Sequence, residues 1–201
     1  MPVILKTARL RLRPLAAWDL VRLHALHNDP LVVDALYEGK PPSWADTYAR
    51  LNQFLTDWKR YGFGFFAVFE HHGNSREDSF LGRRGLRLLP NSDDLELGAC
   101  FHQAASGKGF GPEAGCAVLD FAFTALGAPR VLCVVRPENQ RSLRAVGKMG
   151  FRQIDDRWCR GRLMRCFEVI QQDFHGAVAA NPMFARIHTL PQEIDDEWHS
   201  R

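Results

Sequence analysis

The sequence predicts an α/β (α+β) domain: a mixed, mostly antiparallel, twisted sheet with one central parallel strand pair, flanked by helices. Three observations carry this. Residues 95–135 read strand, glycine loop, helix, strand: LELGACF, then SGKGFGPEA, then a helix apolar nearly all round, then VLCVV. So short a crossover between strands of one sheet makes them parallel and right-handed. Ahead of it, FFAVFE (65–70) and FLGRRGLRLL (80–89) are antiparallel-looking strands joined by the polar stretch HHGNSREDS. Before those, two stretches with helical spacing of apolar residues lie between the first strand and the second.

Composition sets the outer bounds. The chain has 201 residues, 46% hydrophobic and 24% charged, enough for one domain with a sizeable core. The net charge of +3, from 26 basic and 23 acidic residues, is too weak for a nucleic-acid footprint. The local basic clusters, Arg83, Arg84 and Arg87, and Arg157, Arg160, Arg162 and Arg165, read as solvated faces. Five cysteines, Cys100, Cys116, Cys133, Cys159 and Cys166, make an odd number with no CxxC spacing. That argues against a disulfide framework or a zinc site and for a reducing compartment. The opening MPVILKTARLRLRPL carries charges where a secretion signal needs an apolar core, and no window approaches the ~20 apolar residues of a membrane span. The expectation is a cytoplasmic protein with no metal, no nucleic-acid partner and no membrane partner.

The elements follow in order. ARLRLRPL (8–15) alternates apolar and basic residues as a half-exposed strand does. Trp18 to Ala25 has helical spacing, and Asn28-Asp29-Pro30 ends that helix. Ser43 caps a second amphipathic helix over 44–60, and Gly62 and Gly64 break the chain. The two strands named above follow, then LELGACF (95–101), whose interior Gly98 marks either a bulge or a close approach to the backbone. The buried helix runs from Pro112 to about Leu126. VLCVV (131–135) is a continuous apolar run of the central-strand kind. A helix over about 140–148 ends at Gly150, and 151–154 and 163–171 are the last strands. Residues 1–174 form the domain, and 175–201 are a C-terminal tail with no assigned role.

The glycine loop sits where the first parallel strand ends and a helix begins, the edge at which open α/β sheets bind ligands. The helix start offers unpaired amides and the positive end of its dipole, and glycines let a phosphate come close. Lys108 adds a charge. Gly109 stands where a P-loop needs Ser or Thr after the lysine, and Gly107, Gly109 and Gly111 space as G-x-G-x-G rather than G-x-G-x-x-G. The following RPENQRS emerges at the same sheet edge, with Asn139 as an N-cap and Ser142 in the first turn of the next helix.

Together these segments resemble the GNAT superfamily of acetyl-CoA-dependent N-acetyltransferases, and within it the RimJ/RimL-type branch. TARLRLRPL, NDP, LELGACF with GKGFGPEAG, and VVRPENQRSLRAVGKMGF carry the likeness over about residues 7–174. The resemblance implies a GNAT-like sheet splayed around acetyl-CoA. It implies that Gly107, Lys108, Gly109, Phe110 and Gly111 hold the CoA pyrophosphate through backbone amides, and that Asn139 touches the cofactor. Ser106 and Pro112 depart from the family pattern, and each removes a contact to CoA.

If the pyrophosphate lies at the loop, the pantetheine arm runs back past His102, Phe101 and Cys100. Four residues of strand reach roughly 13 Å at about 3.3 Å each, which puts the thioester near mid-strand. Backbone amides near Ala99–Phe101 would polarise its carbonyl, and Gly98 would ease the approach. Glu96 is the candidate base, acting through water. In the RimJ/RimL-type pattern a serine donates to the leaving sulfur, and Ser142 matches it. The acceptor, a primary amine, then comes from the opposite side, where residues 16–64 form the wall. In that wall the irregular link 27–44 carries Asp34, Tyr37 and Glu38 to fix a cationic amine and Trp44 to stack on it. The resemblance favours a peptide or protein N-terminal amine, then a small-molecule amine, and allows a homodimer. Two other functions compete: a non-catalytic CoA-binding sensor or scaffold, and a nucleotide-binding protein using the same loop.

Overall fold

A computed structural model describes residues 3–71, 78–90, 92–159, 161–181 and 188–190. Chain order is β1 (Ile4–Lys6), β2 (Leu10–Pro14), α1 (Leu20–His27), α2 (Pro30–Tyr37), α3 (Trp44–Tyr61), β3 (Phe65–Glu70), β4 (Ser79–Leu88), β5 (Leu95–Phe101), α4 (Phe110–Thr124), β6 (Val131–Val135), α5 (Gln140–Lys148), β7 (Arg152–Gln153), β8 (Arg157–Cys159), β9 (Arg162–Val169), α6 (Gln171–Ala180) and β10 (His188–Leu190). Among the described residues these strands form one sheet in the order β10-β1-β2-β3-β4-β5-β6-β9-β7, with β8 hairpinned onto β9. Every pairing is antiparallel except β5–β6.

Two apolar layers fix the sheet. The face carrying Leu95, Leu97 and Val131 packs on α4, whose Ala114, Cys116, Val118, Leu119 and Phe121 are all buried. The other face packs Phe65, Ala67 and Cys100 under α1, α2 and α3 through Leu23, Leu26, Val32, Leu51 and Phe54. No described helix is long and apolar enough to cross a membrane. All five cysteines are free.

Three local differences from the sequence expectation have physical reasons. Asn28-Asp29-Pro30 ends one helix and starts another: Asp29 caps α2 by accepting from the Leu31 amide at 3.0 Å, and Pro30 takes the first helical position, where it lacks nothing. The supposed irregular link is therefore partly helical. Second, Arg83 and Arg84 are not a solvated face; they are 7% and 6% exposed, one on each side of the sheet. Arg160 lies outside the described residues, as do residues 72–77 of the loop between β3 and β4. Third, α6 extends to Ala180 with Phe174 buried against Phe123, and β10 pairs with β1, so these parts of the C-terminal segment belong to the domain.

Candidate functional site

The parallel pair is short. Only Leu95↔Val131 and Glu96↔Leu132 are in register, although β5 runs on to Phe101 and β6 to Val135. Beyond Glu96 the two strands part and leave a gap in the middle of the sheet, where Ala99 is exposed despite its central position. The amides facing that gap follow from the β4–β5 register. His102 N–H donates to the Leu81 carbonyl and Leu89 N–H to the Asp94 carbonyl, so even-numbered residues of β5 exchange bonds with β4. Leu97, Ala99 and Phe101 therefore turn their amides toward β6; that of Leu97 closes the last pair, Glu96↔Leu132, and those of Ala99 and Phe101 face the gap.

The glycine loop stands at the open end. Gly107 and Gly109 adopt φ of 80° and 83°, a region open to glycine and costly to residues with a Cβ. Gly109, not the residue before Pro112, is the N-cap of α4, which moves the helix start to Phe110 and places Pro112 in its third position. The first intrahelical bond there is Glu113 N–H to the Gly109 carbonyl, leaving the amides of Phe110 and Gly111 without helical partners. A Cβ on Gly111 would meet only a Phe101 ring carbon at 3.9 Å, so the protein's own packing does not require a glycine there. The Phe110 side chain is buried under Arg9, whose guanidinium lies 4.7 Å from the ring centroid.

A clamp behind the loop escaped the sequence analysis. Glu113, 1% exposed, accepts from Arg9 Nε at 2.8 Å, from the Arg9 amide and from the Thr7 hydroxyl. Arg9 Nη1 also donates to the Lys108 carbonyl at 3.0 Å. The loop is thereby held from behind by the β1–β2 turn, while the Lys108 side chain stays exposed. The only sequence signal was an acidic residue in the first turn of a helix otherwise apolar nearly all round.

The second helix start faces the same place. Asn139 caps α5, its Oδ1 accepting from the Ser142 amide at 3.1 Å. The half-buried Ser142 hydroxyl has no partner among the described residues. Arg141 Nη1 reaches the Ser106 hydroxyl at 3.4 Å, so one side chain spans from α5 to the glycine loop. The structure thus gathers Ser106–Gly111, Asn139 and Ser142 around the open gap.

The remaining candidates are deployed differently. Glu96 sits at the closed end, 2% exposed, with both oxygens bound by Arg87: Nε to Oε2 at 2.9 Å and Nη2 to Oε1 at 2.7 Å. Gly98 faces the α1–α3 layer, where a Cβ would stand 2.8 Å from the Phe65 ring, so its bareness serves core packing. Cys100 lies on that same face, and burial pushes its thiol up to about 11, as it pushes Cys133 to about 12, which suits packing rather than nucleophilic work. His102 Nδ1 lies 3.2 Å from Asp29 Oδ2, and Asp29 also accepts from the Gln103 amide. Glu38 pairs with Arg136 at 3.7 Å and with Arg162, and Arg136 also bonds the Asp34 carbonyl. Asp29 and Glu38 thus tether α2 to both sides of the gap, which engages Glu38 with two cations of the protein itself. The Asp34 side chain is exposed, Tyr37 is half-buried with its ring 5.6 Å from His27, and Trp44 packs edge-on against His24 at 4.7 Å.

The acetyltransferase (GNAT) domain family matches this chain over residues 9–152. The chain belongs to the GNAT acetyltransferase family. An acetyltransferase from Agrobacterium tumefaciens is similar in structure with a TM-score of 0.71 and 25% identity, over 84% of this chain and 94% of that one. A GNAT-family acetyltransferase from Bacillus anthracis shares the fold with a TM-score of 0.69 at 22% identity, covering 84% and 99%. The uncharacterized protein YkkB of Bacillus subtilis is 29% identical over 150 residues, 73% of this chain and 83% of its own. GNAT domains take acetyl-CoA as cosubstrate, and the residues present fit it. Two left-handed glycines and a third that packing leaves bare surround unpartnered helix amides, a built cradle for a diphosphate, and a gap with free strand amides leads away from it.

Proposed function

We propose that this GNAT domain is an N-acetyltransferase that moves the acetyl group of acetyl-CoA to a primary amine by direct transfer in a ternary complex. The observation that carries the proposal is the parting of β5 from β6 after Glu96, beside two helix N-termini. Acetyl-CoA supplies the activated thioester. The amides of Gly107 to Gly111, with Lys108 beside them, hold its diphosphate, and Asn139 contributes its free Nδ2. Phe101, Cys100 and His102 bound the path along β5, through backbone and not through the buried Cys100 thiol. The amides of Ala99 and Phe101 face the gap, where they stabilise charge developing on the carbonyl oxygen. The Ser142 hydroxyl donates a proton or hydrogen bond to the leaving sulfur. The acceptor enters from the α1–α3 side past Tyr37 and Trp44, with Asp34 and Glu38 at the end of α2 shaping the mouth. A peptide or protein N-terminal amine, as in the RimJ/RimL-type branch, is the favoured class and a small-molecule amine the next, in a cytoplasmic setting.

Two expected results test the roles. Ser142→Ala lowers kcat by about 10- to 100-fold, about 1.4–2.7 kcal/mol for one transition-state hydrogen bond. Stopped-flow thiol release measures it, and an unchanged kcat removes Ser142 from the chemistry. Glu96→Gln separates a base from a structural ion pair. Because Arg87 occupies both carboxylate oxygens, the variant loses about 1–3 kcal/mol of stability and keeps the shape of its kcat–pH profile. A profile that recovers only at high pH, where free amine accumulates, would instead make Glu96 the base. Acetyl-CoA turnover against an amine panel distinguishes the enzyme from a CoA-binding sensor.

A further inference from the structure

Buried charges in folded proteins are paired, because an unpaired one costs several kcal/mol. This chain follows the rule at Arg13, held by Asp19 at 2.6 and 2.7 Å, and at Glu96 and Glu113. Arg83 breaks it. It is 7% exposed and no carboxylate among the described residues reaches it. Its guanidinium carbon lies 5.0 Å from the Phe54 ring centroid and 4.6 Å from that of Phe65. Its Nε donates to His27 Nε2 at 3.3 Å. Nη1 and Nη2 have no hydrogen-bond partner among the described residues, and unlike the Nε of Arg84 they are not sealed from solvent.

The surroundings do not neutralise it. His27 is wholly buried, and burial first, then the Arg83 charge, lowers its pKa to about 3, so it remains an uncharged acceptor. Tyr37, Cys100, Arg87 and Arg50 are the other titratable groups near the guanidinium. Arg87 is already matched by Glu96, while burial raises the pKa values of Tyr37 and Cys100 and keeps both uncharged. A cation thus stands against a pair of touching aromatic rings, whose centroids are 4.7 Å apart, with its two terminal nitrogens unused. Arg83 is the register partner of Cys100, on the acceptor face, and the adjoining strand borders the gap from Leu97 to Phe101.

We propose that Arg83 binds a carboxylate of the acceptor and restricts the enzyme to primary amines that carry a carboxylate a few bonds from the nitrogen. The planar guanidinium fork offers two parallel N–H bonds to the two oxygens of a carboxylate, and the contacts with Phe54, Phe65 and His27 already hold the side chain in place. Adjacent strands lie about 4.5–5.5 Å apart, so a group on Arg83 and an amine in the gap need only a short linker. The inference rests on the acetyl transfer proposed above and deepens it. Two sources share this chemistry: a free amino acid, and a peptide whose first residue is acidic.

The test uses matched pairs: an α-amino acid and its carboxamide, and a peptide beginning with Asp and the same peptide beginning with Asn. Acetyl transfer is followed by thiol release, and binding to the CoA-saturated protein by calorimetry. The carboxylate member of at least one pair should win by about 100-fold in kcat/KM and in Kd, as expected where charge-assisted hydrogen bonds are lost. The pair that discriminates names the source. Arg83→Gln should abolish the preference and leave the KM for acetyl-CoA unchanged. Arg83→Lys keeps the charge and should retain part of it, which decides the matter if the Gln variant does not fold. Neutral amines binding and reacting equally well, or no carboxylate amine binding at all, would overturn the role of Arg83 while neutral-amine turnover upheld acetyl transfer. Preferential binding of the carboxylate member without turnover would uphold Arg83 and overturn acetyl transfer.

Discussion

Gly109→Leu should lose at least about 100-fold in CoA affinity while the domain stays folded. The folding cost is bounded, because one non-glycine residue in the left-handed region costs about 1–2 kcal/mol. Gly109 has φ of 83° and caps α4, so a side chain there projects over the unpartnered amides of Phe110 and Gly111. Blocking two charge-assisted bonds to a phosphate removes about 3 kcal/mol or more, and a tenfold change in affinity is about 1.4 kcal/mol. Isothermal calorimetry with CoA, paired with thermal melting, separates the two effects. Normal CoA binding by the folded variant would show that the loop does not hold the diphosphate.

The second large effect concerns acid. His27 is fully buried on α1, and its folded pKa of about 3 lies below the ordinary value of 6.5, chiefly through burial and then through Arg83. The unfolded chain therefore binds a proton that the folded chain refuses. Stability is complete above pH 6.5 and is lost as pH falls toward 3, at about 1.4 kcal/mol per pH unit, or about 3 kcal/mol by pH 4. Urea unfolding at pH 7, 5.5 and 4.5 should show this slope, and His27→Asn, which keeps an acceptor for Arg83 Nε but cannot titrate, should flatten it. Paired carboxylates do not confuse the test, because Asp29 and Asp94 have lowered pKa values and act below about pH 4. A flat wild-type profile between pH 6.5 and 4.5 would mean that His27 is charged in the folded state.

What the sequence disclosed and what it hid divide along a physical line. The segment 95–135 was legible because each signal in it is local: a strand, loop glycines, a helix apolar nearly all round and a second strand. The Asn139 and Ser43 caps were legible for the same reason. Partners across the sheet were not. Gly98 is bare because of Phe65, Glu113 answers to Arg9 from about a hundred residues away, and Glu96 answers to Arg87 on the neighbouring strand. Helix α2 was hidden by a proline whose meaning depends on which side of it the helix lies. The burial of Arg83 had no sequence signal, since three arginines in five residues on a strand look like a surface.

The two-residue seam between β5 and β6 makes the sheet a lever. Among the described residues, one block of strands, β1 to β5 and β10, pairs with the other, β6, β7, β8 and β9, only at Leu95–Glu96 and Val131–Leu132. Each block has its own antiparallel ladder, and the angle between them is set at the seam and by the ion pairs of Asp94 with Arg130 and of Glu38 with Arg136 and Arg162. From Glu96 to Phe101 the arm is about 16 Å long, and a turn of about 5° at the seam moves its far end by about 1.4 Å. Displacements of about 1 Å at a reacting group are enough to change a rate by two orders of magnitude. Side chains at the closed end, far from any transferred atom, thereby share with the Asp29 and Glu38 tethers in setting the aperture at the open one.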